Sequence, residues 1–505
     1  MTMYDDAWSA TAPMNHQVAA VLASLPRREF ALFMEQGTGK TKVALDKTVA
    51  LFQSGAIDGL VVFAPNGVHR NWIVEEIPKH LPVALSRIAV AWRAGMGKKA
   101  TVEFMRAFVQ TPNTLRICAI NIEALSTAKG SEIARKFLAS GRMHAVVDES
   151  QTIKTPSVKR TRNVIKLGRL APVRTIATGT EITEGPLDLY SQFEFLRPGY
   201  LGPTYTAFKN RYAEWVERQL SSQNGVPGRV FKELVRYRNL DELIEKVNAM
   251  AFRVTKAECL DLPPKVYERR PVELSAEQTD AYRKLVKSTL AEFSATERIS
   301  APHMITRLLR LQQIVGGFIQ LDNEAKLRPL SNAKLTALLD ALEGRRKGVK
   351  TIIWARFLPE LNAIHKALAE NYGADAVVRY WGEANGKERA RALVAFQNEE
   401  KDLAWLKENG MDRMPPSADF FVGQQQAGGK GLTLHAASMV EYFSNNFSWA
   451  DRSQSEDRAH RIGQTKSVTY TDWVAEGTID EKILRALRDK RDMADMFKTV
   501  QDILS

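Results

Sequence analysis

The chain reads as an α/β protein: two doubly wound parallel-sheet lobes with helical insertions between them. Three observations predict this. Short, continuously apolar runs ended by turns alternate with helical stretches, the pattern of buried parallel strands and their crossovers. The alternation occurs twice, from Glu29 to Ala177 and again from Thr351 to Phe443. Between the two series the sequence changes to mixed aromatic, basic and helical character.

The first series opens with Glu29 to Met34, an apolar run that predicts a short buried strand. Met34-Glu35-Gln36-Gly37-Thr38-Gly39-Lys40-Thr41 follows, and Lys42 to Lys47 contains good helix formers and no breaker. Strand, tight loop and helix form the setting of a phosphate-binding loop. Gly37 and Gly39 let the backbone turn its N–H groups toward phosphate oxygens at a helix N-terminus. Thr38 completes that turn, Lys40 reaches the β- and γ-phosphates, and the Thr41 hydroxyl ligates Mg²⁺. The first Gly of the usual pattern is Met34 here. Ahead of the loop, Asn15 to Leu22 predicts a short helix, on which Gln17 offers an amide able both to donate to and accept from an adenine edge.

Further strands are expected at Leu60 to Pro65, Leu115 to Asn121, His144 to Asp148 and Val173 to Ala177. In such sheets the ligand sits at the carboxyl ends of the strands. There Asp148 is placed to hold Mg²⁺ and Glu149 to orient and deprotonate an attacking water. Thr178-Gly179-Thr180, after the next strand, is placed to sense the γ-phosphate side.

Composition narrows the class. The 505 residues carry 71 Lys and Arg against 58 Asp and Glu, a surplus that suits a polyanionic partner. Of the two cysteines, Cys118 lies in an apolar run and reads as a buried thiol; no Cys/His cluster has zinc spacing. The N-terminus lacks a basic start and an apolar core, and no run approaches the roughly 20 residues of a membrane span. An intracellular protein with no membrane association is expected.

Taken in order, Gln17, Gly37 to Thr41, Asp148-Glu149 and Thr178-Gly179-Thr180 resemble helicase superfamily 2. Asn71-Trp72 with Glu75, Asp148-Glu149-Ser150-Gln151 with Ile153-Lys154, and Leu260-Asp261-Leu262-Pro263-Pro264-Lys265 resemble its Swi/Snf-type branch of DNA-translocating ATPases. The resemblance runs from about Gln17 to Leu484. It implies two RecA-like lobes, ATP and Mg²⁺ as nucleotide and metal, and DNA, double-stranded above all, as partner. A DNA-bound protein is a further expected partner of a monomeric motor. The family commonly has His where Gln151 stands and Pro where Glu181 stands. Gln151, Thr178, Gly179 and Thr180 are read as coupling residues.

The expected lobes are residues 1–198 and 331–488, separated by helical protrusions and a linker at 199–330 and followed by an amphipathic helix at 489–505. Ser221 to Gly228 reads as a mobile loop, and Asn398 to Ser417 as a surface insertion. Second-lobe strands are expected at Thr351 to Ala355, Ala376 to Tyr380, Asp419 to Val422 and Met439 to Phe443. Ala427 to Leu434 is a Gly-rich turn whose N–H groups suit a DNA phosphate. Pro65, Asn66, Gly428, Gly429 and Thr433 are the candidate nucleic-acid contacts. The segment Gln454-Ser455-Glu456-Asp457-Arg458-Ala459-His460-Arg461-Ile462-Gly463-Gln464 matches the resembled family throughout. Arg458 and Arg461, three apart, are expected on one helix face, clamping the charge of a phosphoryl-transfer transition state. Gln454 and Gln464 are read as coupling residues, and His460 as a packing or hydrogen-bonding residue. The expected activity is DNA-dependent ATP hydrolysis driving translocation on duplex DNA in replication, repair or recombination. A strand-separating helicase, an RNA-dependent ATPase and an ATP-gated clamp are the alternatives.

Overall fold

The computed structural model describes residues 3–489 except 94, 97, 180, 181, 183, 184, 220–229, 297–300, 321–326, 346, 347, 383–385, 399–413 and 429–431. The chain forms two compact units, Met1–Asp261 and Leu262–Ser505. The division falls inside the Leu260 to Lys265 motif.

In the first unit the strands are β1 (Glu29–Met34), β2 (Gly59–Ala64), β3 (Arg87–Ala91), β4 (Leu115–Asn121), β5 (Met143–Asp148) and β6 (Val173–Thr178). An antiparallel hairpin of β7 (Ala213–Gln219) and β8 (Val230–Tyr237) follows, and then β9 (Ala251–Val254). Seven of these strands form one sheet in the order β3-β4-β2-β5-β6-β1-β9, and every pairing is parallel. The apolar runs become strands because both faces are covered: all residues of β2 and β5 are buried. Two apolar clusters fill the two faces, one around Phe63, Cys118, Phe137 and Phe193, the other around Leu32, Val62, Trp72 and Ile117. Cys118 is a buried free thiol, as its apolar run predicts.

The register decides what meets at the sheet's carboxyl edge. Phe33 of β1 lies opposite Thr178 of β6, and Asp148 of β5 lies opposite Ala177 of β6. The loops after β1, β5 and β6 therefore leave the sheet side by side.

In the second unit β10 (Lys265–Val272), β13 (Thr351–Trp354), β14 (Val377–Tyr380), β15 (Phe420–Gly423), β16 (Met439–Tyr442) and β17 (Val468–Ala475) form a second all-parallel sheet. Its order is β10-β17-β16-β13-β15-β14. A small antiparallel pair, β11 (Phe318–Gln320) with β12 (Leu327–Pro329), stands apart. Trp354 of β13 is level with Gly423 and Tyr442, and Tyr442 is level with Asp472. The chain after β15 and after β16 thus emerges at one edge.

Several elements differ from the sequence reading. The region expected to carry helical protrusions holds the β7–β8 hairpin between the helices Tyr205–Tyr212 and Leu240–Asn248. Its strands mix apolar and charged residues, such as Glu214, Trp215, Val216 and Glu217, so no apolar run announces them. Strands β3, β9, β10 and β17 were not anticipated either. The loop at Ser221 to Gly228, most of the insertion at Asn398 to Ser417, and the helix expected at 489–505 lie outside the described residues, apart from Asp489.

Candidate nucleotide and phosphoryl-transfer site

Helix α1 (Asn15–Ser24) and helix α2 (Lys40–Gln53) frame the loop after β1. Gly37 and Gly39 have φ of 83° and 93°, left-handed backbone that favours glycine. At Gly39 a Cβ would also lie 2.2 Å from Gln17 Nε2, so α1 packs directly on the loop. The contact is made by hydrogen bonds to one carbonyl. Gln17 Nε2 and His16 Nε2 both donate to the Thr38 carbonyl, at 3.1 and 2.8 Å. Gln17 Oε1 accepts from the Met14 N–H at 3.0 Å. Gln17 is buried, and its amide is engaged with Met14 and the loop.

Lys40 Nζ points back into the loop and donates to the Met34 carbonyl at 2.9 Å and the Glu35 carbonyl at 3.4 Å. Thr38 closes the turn by donating its hydroxyl to Glu35 O at 2.7 Å. Thr41 is half-buried in the first turn of α2. Glu35 joins the loop to the far edge of the sheet: its N–H donates to Val254 O, and its carboxylate accepts from the Lys256 N–H at 2.8 Å.

Asp148 ends β5 and is buried. Its Oδ2 accepts from the Trp72 indole N–H at 2.9 Å, and its Oδ1 from the Glu149 N–H at 3.0 Å. Burial, and next the charge of Glu149, push its carboxyl up to about 6, while Trp72 and Lys40 pull it back. Glu149 itself sits at φ 52°, a left-handed conformation that a side-chain-bearing residue seldom adopts. That turn is positioned by a relay: Gln151 Nε2 donates to Glu149 Oε2 at 2.9 Å, and Thr178 Oγ1 donates to Gln151 Oε1 at 2.7 Å. Gly179 closes the ring, because a Cβ there would meet the Gln36 N and Cγ at 2.9 Å. Thr180 and Glu181 lie outside the described residues.

Trp72 is the residue whose role sequence reasoning missed. It stood in the Asn71-Trp72 motif, but nothing local shows that its indole reaches a carboxylate across the sheet. The neighbouring Pro65 is buried, and Asn66 is exposed with its N–H held by Glu123 Oε2 at 3.1 Å.

In the second unit the arginine pair departs from its expected setting. The helix Trp449–Glu456 ends at Glu456, and Asp457 to Gln464 form turns, with Gly463 at φ 100°. Arg458 and Arg461 therefore do not share a helix face. They converge all the same: Arg458 Nη1 and Arg461 Nη1 both donate to the Leu432 carbonyl, at 3.1 and 2.9 Å. The Leu434 N–H returns a bond to Arg458 O at 2.9 Å. The turn is thus laced to the chain just after the glycine segment. Gly428 ends a short helix, Gln425–Gly428, Gly429 lies outside the described residues, and Thr433 is half-buried.

Glu456 and Asp457 face Lys265, and Glu456 also faces Arg452. Gln454 is buried on its helix. Gln464 Nε2 reaches the carbonyls of His435, Ala437 and Ala459 at 2.7–3.1 Å, which fixes the end of the turn inside its own unit. His460 donates to Pro263 O at 2.7 Å, a hydrogen-bonding role as expected.

Among the described residues no group of three or more His, Cys, Asp and Glu could hold a metal ion. Mg²⁺ needs no such group, since it is commonly held by one or two carboxylates with waters and substrate phosphates. Asp148 fits that role: a buried carboxylate whose ionised form burial and Glu149 disfavour, with Lys40 opposing them, gains from a divalent cation. No helix among the described residues is long and apolar enough to cross a membrane.

The family model described as SNF2-related domain matches residues 16–316. Among curated proteins, an uncharacterized ATP-dependent helicase of Mycoplasma genitalium is 25% identical over 91% of this chain and 39% of its own length. A putative ATP-dependent helicase/translocase of Bacillus subtilis is 27% identical over 70% of this chain and 35% of its own. The human DNA annealing helicase and endonuclease ZRANB3 is 26% identical over 88% of this chain and 36% of its own. The chain therefore spans less than two-fifths of these relatives. Among solved structures, the Sulfolobus solfataricus SWI2/SNF2 ATPase core in complex with dsDNA is 22% identical, with a TM-score of 0.42, over 97% of this chain and 93% of that one.

Proposed function

From the premise that this chain belongs to the SNF2-related domain family, we propose that it is a DNA-dependent ATPase that converts hydrolysis into translocation on duplex DNA. The observation that carries the reading is the meeting of Lys40, Asp148, Glu149 and Thr178 at one sheet edge, joined by the Gln151 relay.

In this reading the triphosphate lies on the loop after β1. The loop N–H groups face its oxygens, and Lys40 turns from the Met34 carbonyl to the β- and γ-phosphates. Asp148 and Thr41 would hold Mg²⁺, which neutralises charge on the phosphates when bound. Glu149 orients the attacking water and takes its proton. Because Glu149 is tied through Gln151 to Thr178, the strand carrying the γ-phosphate sensor and the base move together. Arg458 and Arg461 leave the Leu432 carbonyl for the transferring phosphoryl group, which places the demand for closure on the nucleotide state. DNA backbone contacts are assigned to Pro65, Asn66, Gly428, Gly429 and Thr433. The relatives' names, which include helicases and a translocase, support nucleic-acid-coupled ATP use.

The test is steady-state ATP hydrolysis with single-stranded DNA, duplex DNA, forked DNA and RNA, run beside duplex-unwinding and triplex-displacement assays. Stimulation by duplex DNA with triplex displacement and no unwinding is expected. Unwinding would make the protein a strand-separating helicase, and stimulation by RNA alone would move it to the RNA-dependent branch. A flat trace with saturating nucleic acid would reduce it to an ATP-gated clamp.

A further inference from the structure

Arg452 lies inside the Trp449–Glu456 helix and is buried. Its guanidinium sits 3.4 Å from the centre of the Tyr442 ring. Nη1 donates to Asp472 Oδ1 at 2.5 Å and to Asn445 Oδ1 at 3.0 Å. Nη2 donates to Asp472 Oδ2 at 3.1 Å, and Nε to Glu456 Oε1 at 2.9 Å. One planar fork thus grips β17, the segment after β16 and the last residue of its own helix.

Each partner carries the linkage outward. Glu456 Oε2 accepts from Lys265 Nζ at 3.1 Å and from the Tyr267 hydroxyl at 2.8 Å, both on β10. The Glu456 carbonyl accepts from the Tyr470 hydroxyl at 2.8 Å. The turn bearing Arg458 and Arg461 starts at the next residue. On the other side, Asn445 Oδ1 also accepts from Gln425 Nε2 at 3.2 Å, and Gln425 opens the short helix Gln425–Gly428. The residue that precedes the arginine turn, Glu456, and the start of the Gln425–Gly428 helix are therefore both tied to the same guanidinium, Glu456 directly and Gln425 through Asn445.

We infer that Arg452 is the positioning residue of the Arg458/Arg461 pair, fixing their turn relative to Leu432. The inference rests on reading that pair as phosphoryl-clamping arginines. A buried ion pair adds little stability over an apolar replacement, but its geometry is specific, and a bidentate, ring-stacked guanidinium cannot be replaced by an ammonium. Misplacing a catalytic group by about 1 Å costs on the order of 10²-fold in rate. Every partner named in the linkage, from Lys265 to Asp472, belongs to the second unit, whereas the phosphate-binding loop belongs to the first, so substrate affinity should be spared.

Arg452→Lys keeps a positive charge opposite Asp472 and removes the fork; Asp472→Asn keeps the shape and removes the charge. Both should lower kcat about tenfold or more with KM for ATP within about twofold. Amide hydrogen exchange should quicken at Leu434 and Gln464, whose N–H groups donate to Arg458 O and Arg461 O. Exchange in β13 and β15 should be unchanged. Wild-type kcat with normal protection in both variants overturns the inference. So does loss of protection throughout the second unit in both, which would leave Arg452 a purely structural role. Arg461→Ala assayed alongside separates the two levels. If that variant hydrolyses ATP normally, the arginine reading fails and this inference with it; if it is inactive while Arg452→Lys is normal, only the positioning role fails.

Discussion

Thr178 donates its hydroxyl to the side-chain oxygen of Gln151 at 2.7 Å, across neighbouring strand ends. Gln151 uses its other end on Glu149, so a single amide holds base and sensor together. Gln151→Ala should therefore retain ATP binding and lose DNA-stimulated turnover by about 10- to 100-fold, the range typical of losing an outer-shell residue that orients a functional side chain. Gln151→His, which can still accept at one ring nitrogen and donate at the other, should keep most of the stimulation. Steady-state kinetics with and without duplex DNA check both.

At Asp148 stability and activity are opposed. Its folded carboxyl is raised to about 6 from an ordinary value of 3.8, mainly by burial. The folded state therefore holds this proton more tightly than the unfolded chain, and the stability this gives is lost as pH rises through about 6. Asp148→Asn should stabilise the nucleotide-free protein at pH 7.5 by about 1–3 kcal/mol while abolishing hydrolysis. The gain should vanish below about pH 4. Urea unfolding at the two pH values measures it.

Lys47 gives the opposite sign. It is buried on α2, donates to the Arg27 carbonyl at 3.2 Å, and burial lowers its ammonium from 10.5 to about 7. The unfolded chain then binds more protons than the folded one between about pH 7 and 10.5, so this residue makes stability rise across that window. Lys47→Met should be more stable than the parent at pH 6–7, by a few kcal/mol at most. The difference should shrink as pH approaches 10, which thermal unfolding across pH can follow.

At the phosphate-binding loop, Lys40→Ala should remove ATP hydrolysis while the fold stays intact. Gly39→Ala should do more: the left-handed φ and the 2.2 Å approach of Gln17 would force α1 away from the loop. Its expected signature is loss of nucleotide binding by fluorescence titration together with a lowered melting temperature.

Much of this was legible in the sequence for a physical reason. Strands buried on both faces are mostly continuous apolar runs, so β1 and β4 appear in the sequence at the bounds they have in the structure, whereas β17, almost wholly buried, is interrupted by Thr469, Thr471 and Asp472 and escapes that pattern. Edge strands obey no such rule. In β10 only Val272 is buried, and the strand lies inside the region expected as protrusions and linker at 199–330, because the sheet uses chiefly its backbone. The phosphate loop and Asp148-Glu149 were visible as motifs with fixed local geometry. The Trp72–Asp148 bond was not, because it joins residues far apart in the chain. Helical periodicity misplaced Arg458 and Arg461, since the helix stops at Glu456 and a turn, not a shared face, brings them to Leu432. The nearby Gly463 was the available hint of that turn.

The proposed function requires charges from the second unit to act on a triphosphate bound by the first. Duplex-DNA-stimulated ATP hydrolysis by Arg461→Ala, with nucleotide affinity measured on the same preparation, tests this most directly. Turnover should fall by roughly 10³-fold or more, as for arginine fingers in comparable NTPases, while ATP affinity stays near that of the parent. Wild-type turnover in this variant would contradict the account.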